Sequence, residues 1–145
     1  MEMNNPEALL RYQMAKIHTA STEELGLMLY EAALKGLREC QNAIRAQKWD
    51  LTVRHGRLAQ DIFAGLAETV NPEHPHADTM TNLYLYCWRT VAFVQTSHRA
   101  EDLDPVIEVV GHLIDGLKHF IQGRQGNPTR LEETSEQKMT VNFSG

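Results

Sequence analysis

The side chains of this chain best suited to chemistry are its seven histidines and two cysteines. His55 stands in Arg54-His55-Gly56-Arg57. A helical imidazole beside guanidinium groups is the arrangement of a phosphotransfer bundle, with histidine as nucleophile and the cations holding phosphate. Periodicity also puts His55 near the core side of its helix, where the plainer reading is a half-buried structural side chain. His112 and His119 share a helix face two turns apart, too far for one metal ion, whose ligands on a helix sit three or four residues apart. His74 and His76 flank Pro75 in a loop and read as solvated side chains that could catch a stray cation. The helical Glu-x-x-His pair of di-iron bundles is absent, because the nearest helical approach, Glu108 to His112, is spaced one residue too far. Cys40 and Cys87 lack the spacing of a metal knuckle or a redox pair. They read as two buried thiols of a protein in a reducing compartment. No phosphate-binding loop, nucleophile elbow or Cys–His arrangement is present. The expectation is a protein that is not an enzyme, with no cofactor and no metal.

The elements that would carry these residues are helices. A chain of 145 residues, 42% hydrophobic and 23% charged, suits one domain with a real core. The formal net charge is −5 and no Lys/Arg stripe is present, which argues against a nucleic-acid partner. Met1–Ala8 is polar with no apolar run after it, and no stretch approaches membrane-spanning length. A cytoplasmic protein without membrane insertion is expected.

Pro6 can start a short helix through Met14, with Leu9, Leu10 and Tyr12 as its apolar contacts. It is too short to stand alone and must lie on something. Ser21 and Glu24 form an S-x-x-E capping box that opens the first long helix, which ends near Gln47. Asp50 is expected to cap a second helix, with Leu51, Leu58, Ile62, Leu66 and Val70 as its seam and Ala59 and Phe63 at the flank. Asn71–His76 breaks it, and a third helix is expected from Ala77 to His98, with Met80, Leu83, Tyr84, Cys87, Val91 and Val94 on one face. Asp104 as cap and Pro105 at the first position open a fourth helix, with a seam of Val106, Val109, Val110, Leu113, Leu117 and Phe120. Gly123 is expected to close it. The polar residues that follow read as a disordered tail. Four amphipathic helices with short links predict an all-α, antiparallel four-helix bundle. The division expected is an N-terminal segment over 1–20, the bundle over 21–123 and the tail over 124–145.

The first long helix has more apolar surface than one stripe. At about 100° per residue, Leu25, Met28, Leu29, Ala32, Ala33, Cys40 and Ile44 make one face. Leu27, Tyr30, Leu34 and Leu37 make a second. Either the helix is central and packed on both sides, or one stripe lines a groove for a partner. Leu85, Tyr86 and Phe93 add apolar side chains off the core face of the third helix. Surplus of this kind fits a partner protein or a second copy of the chain.

Tyr12-Gln13, Thr19-Ala20-Ser21-Thr22-Glu23-Glu24-Leu25 and Met28-Leu29-Tyr30-Glu31-Ala32-Ala33-Leu34 resemble the signature of the FliS family, the flagellin export chaperones. Leu83-Tyr84-Leu85-Tyr86 with Arg89, and Val106–Phe120, resemble two further family patterns. Thr22 stands where the family usually has Pro, and Leu85 and Thr90 replace its usual Asp and second Arg. The resemblance implies a bundle with a short N-terminal helix packed across it. It also implies a cytoplasmic chaperone that binds the disordered C-terminal segment of flagellin in apolar grooves. Such a chaperone prevents premature polymerisation and aids type III export, with the export apparatus as a further partner. The contact residues expected are Tyr12, Ile17, Leu27, Tyr30, Leu34, Tyr86 and Phe93. Two other readings stay open: a phosphotransfer bundle using His55, and a self-associating structural bundle, with a weak homodimer as its sign.

Overall fold

The computed structural model describes residues 22–126. They form α1 (Thr22–Arg45), α2 (Trp49–Thr69), α3 (Ala77–Ser97) and α4 (Asp104–Gly126), with a 3-10 turn over Ala100–Leu103 before α4. No strand is present among the described residues. The expected short N-terminal helix, Ser21 of the capping box and residues 127–145 lie outside them. α4 continues through Gly123 to Gly126, so that glycine does not close it.

α1 is the central helix. It packs on α2 along one side and on α4 along the other, and α3 packs on α2. Its buried seam is Tyr30, Ala33, Leu37, Cys40 and Ile44, at alternating spacings of three and four. Tyr30 and Leu37, expected on an outer stripe, therefore belong to the core, and Ala32 of the expected core face is exposed. Leu27 and Leu34 are half-buried and pack against the same core. Most of the second stripe is thus the other side of a helix with neighbours on two flanks.

The α2 seam is also rotated from expectation. Thr52, Gly56, Ala59, Phe63 and Leu66 are buried, while Leu58 is 51% exposed. The reason is close approach. A Cβ on Gly36 would sit 3.5 Å from the His55 carbonyl oxygen and 3.7 Å from the Ala59 Cβ, so α1 and α2 meet through small residues. Counting large apolar side chains misses a seam built from glycine and alanine. Phe63 then fills the space beside it, fully buried. Asp50 is not the cap. The helix begins at Trp49, and Asp50 lies in the first turn, where its charge suits the helix dipole.

On α3, Met80, Tyr84, Cys87, Val91 and Val94 are buried as expected and Leu83 is half-buried. On α4, Val106, Val110, Leu113, Leu117 and Phe120 are buried and Val109 is half-buried. Paired positions fix an antiparallel register. Glu23 lies by Arg124 and Gly26 by Leu117, while Gln41 meets Asp104 at the far end. Cys40 lies by Thr52, and Gly56 by Gln95.

Candidate functional site

α3 and α4 are not close neighbours in backbone, so the bundle leaves a gap between them at the end where α1 starts. The first half of α1, the last turn of α2, the first half of α3 and the second half of α4 surround it. The result is a groove of about 490 Å³, within the range of about 300–1,000 Å³ common for ligand pockets. Its walls are Leu25, Leu29, Leu66, Met80, Leu113 and Leu117. Thr22, Glu23, Thr69, Asn71 and His74 add polar groups. The apolar walls come from residues that face inward at an end where, among the described residues, no element closes the gap between α3 and α4.

Two tyrosines join this lining. Tyr30 is 6% exposed and Tyr84 is 4% exposed, and their hydroxyl oxygens lie 2.7 Å apart in a hydrogen bond. Burial raises the Tyr30 pKa, a shift partly offset by the hydrogen bond from Tyr84. Burial, with the neighbouring Tyr30 adding to it, pushes the Tyr84 phenol well above its ordinary value. Both hydroxyls stay protonated across the physiological range.

Of the expected contact residues that are described, Tyr30 alone lines the groove. It does so from the core rather than from an outer stripe. Leu27 and Leu34 are wedged against the core on α1. Tyr86 is 40% exposed and Phe93 62% exposed, on the outside of α3, where Leu85 and Trp88 are exposed too. Tyr86 and Phe93 are seven residues apart and share a helix face. Tyr12 and Ile17 lie outside the described residues. The groove residues missed from sequence, such as Met80, Leu113, Leu117 and Tyr84, read there as ordinary seam positions. Nothing in the periodicity marks the end of a seam that lacks its facing helix.

The described histidines give no competing site. His55 Nδ1 lies 3.0 Å from the Glu39 carboxylate across the α1–α2 contact. A carboxylate beside the ring repels a phosphate, so this geometry favours a structural tie between helices. His112 pairs loosely with Glu108 at 3.7 Å. His74 Nδ1 accepts a hydrogen bond from the His76 backbone N–H at 3.1 Å, which shapes the loop. Among the described residues no group of three or more His, Cys, Asp or Glu could hold a metal ion, and no helix is long and apolar enough to cross a membrane. Cys40 and Cys87 are buried and unbridged.

The family model described as "Flagellar protein FliS" matches residues 3–124. The chain is also similar to the flagellar secretion chaperone FliS of Bacillus subtilis (strain 168), with 30% identity over 115 residues, 79% of this chain and 83% of that relative.

Proposed function

With a match that spans nearly the whole described bundle, the chain belongs to the FliS family, and we propose from that premise that it is a flagellar export chaperone. Its client is the disordered C-terminal segment of flagellin. The groove between α3 and α4 takes apolar side chains of that segment as it folds into short helices on binding. The observation that carries this is the groove itself: a wall of Leu, Met and Tyr side chains left open at the end of an otherwise closed core. Soluble bundles do not keep such a surface without a use for it. Coupled folding gives a wide interface, and its ordering cost keeps the client releasable to the flagellar export apparatus. The protein acts in the cytoplasm and carries out no chemistry on its client.

The client surface continues from the groove over α1, along Leu27 and Leu34, and onto the outer face of α3. Tyr86 and Phe93 are exposed there and give a wrapped segment a second place to land. Thr22, the first described residue, lines the groove. Tyr12 and Ile17, outside the described residues, are proposed as further client contacts on the strength of the family resemblance. If deletion of residues 1–17 changed neither client affinity nor stability, this part of the proposal would fall. The exposed face of α3 could instead pair with a second copy. Sedimentation of the free protein as a concentration-dependent dimer, lost on Phe93→Ser, would favour that use.

The test is calorimetric titration with a peptide covering a flagellin C-terminal segment from the same source. The expected result is one-to-one binding with a gain of helix signal and a negative heat-capacity change. Absence of binding, by the full chain and by a form lacking residues 1–17, would sink the proposal.

A further inference from the structure

We infer that the Tyr30–Tyr84 pair is the specificity element of the groove: it supplies one hydrogen-bond donor to the apolar lining and selects client segments that bring a neutral acceptor to it. This rests on the groove being the client site. The argument begins with proton count. Each phenol has one O–H. Only one of the two protons can lie between oxygens 2.7 Å apart. The second has to be directed elsewhere, and both rings line the groove. Its apolar walls, Leu25, Leu29, Leu66, Met80, Leu113 and Leu117, carry no strong acceptor, and among the described residues the hydrogen-bond partner of each phenol is the other phenol rather than Thr22, Glu23, Thr69, Asn71 or His74 of the lining. With the groove open, water can take the spare proton. A purely apolar segment would expel that water and leave the donor buried and unpaired, which is penalised. A segment with a side-chain amide or hydroxyl at the matching position replaces the water.

The acceptor is neutral. Bringing a carboxylate into an apolar groove carries a large desolvation cost. Glu23 at the groove and a chain net charge of −5 also oppose it. Because burial keeps both phenols protonated, the donor does not switch off within the physiological pH range. The groove therefore reads a pattern: aliphatic anchors around one Asn, Gln, Ser or Thr on the buried face of the bound helix.

The test compares Tyr30→Phe, Tyr84→Phe and the double variant against the flagellin C-terminal peptide and against copies in which each neutral polar side chain is replaced by an apolar one of similar shape. Each single variant keeps one hydroxyl, so it keeps a donor and binds the parent peptide within a few-fold, while its thermal midpoint falls. The double variant removes both partners at once and regains most of that stability, which circular dichroism checks. It is expected to bind the parent peptide roughly ten- to hundredfold more weakly. One peptide substitution is expected to remove that difference, binding the parent chain and the double variant equally. A purely structural pair would leave the folded double variant with unchanged affinity, and that outcome overturns the inference. So does a loss of affinity that no peptide substitution cancels. Failure of the parent chain to bind the peptide at all would be a different result, since it removes the chaperone reading itself.

Discussion

At one end of the bundle Gln41 reaches across from α1, its Nε2 donating to the Ala100 carbonyl at 2.9 Å and to the Asp104 carboxylate at 2.7 Å. There Leu103 is fully buried, and Trp49 stacks on His98 with ring centroids 4.0 Å apart. At the other end Leu29, Met80 and Leu117 face an open groove, and the polar tie among the buried side chains lining it is between Tyr30 and Tyr84. Both ends use the same helices and similar residues. The 3-10 turn Ala100–Leu103 makes the difference, because it carries the chain from α3 to α4 and closes the gap between them. No described segment does the same at the groove end. One end is closed; the other, among the described residues, leaves apolar area uncovered.

The largest effect that would sharpen this contrast is loss of a closed-end anchor. Leu103→Ala should cost about 2–5 kcal/mol in urea unfolding, because the side chain is fully buried and its cavity cannot refill. Leu29→Ala, at a half-buried groove position, should cost only about 1 kcal/mol yet weaken client binding. Equal stability losses at the two sites would break the comparison. Next in size is Gln41→Ala. It leaves the buried Ala100 carbonyl without this partner while the exposed Asp104 carboxylate returns to water, and should cost about 1–2 kcal/mol with no change in affinity for the client.

The thiols probe the core behind each end. Burial pushes Cys40 up to about 11 and Cys87 up to about 12. The unfolded thiols titrate near the ordinary value of 9.0, so above that pH the unfolded state holds fewer protons than the folded one. Stability from this source is whole below pH 9.0 and is lost as pH rises through about 11 and 12. A fall in thermal midpoint confined to that alkaline range checks the sign. Cys87 lies three residues from Tyr84, and Cys40 bonds to the Thr52 carbonyl away from the groove. Both thiols are fully buried and held protonated, so alkylation of either should be slow below pH 9.0. The smallest effect is expected from Gly65→Ala and Gly111→Ala. A Cβ at either would meet open space, so each should stabilise by about 0.5–1 kcal/mol through backbone entropy, at no cost to binding.

The four helices and the seams of α3 and α4 were legible because each has one dominant neighbouring layer, and periodicity reports that directly. α1 has two, and its pattern left two readings open. Its two apolar stripes read first as core on both flanks, which the packing bears out, and second as core plus groove, the reading that put Tyr30 among the client contacts although it is core. α2 misled because Gly56 and Ala59 mark its contact, and hydrophobicity gives small residues little weight. The groove was legible only through its surplus. Which seam residues line it depends on where α3 and α4 part, a long-range property that no local pattern encodes. Tyr84 sat in a recognised pattern and was still read as plain core, since its hydroxyl matters only once Tyr30 is known to lie opposite.

The most direct test of the open end as the client site is amide hydrogen exchange of the full chain with and without the flagellin C-terminal peptide. Added protection is predicted at 25–30 in α1, 80–84 in α3 and 113–117 in α4, with 100–104 unchanged. Protection confined to the closed end, or to residues 49–58 of α2, would contradict it.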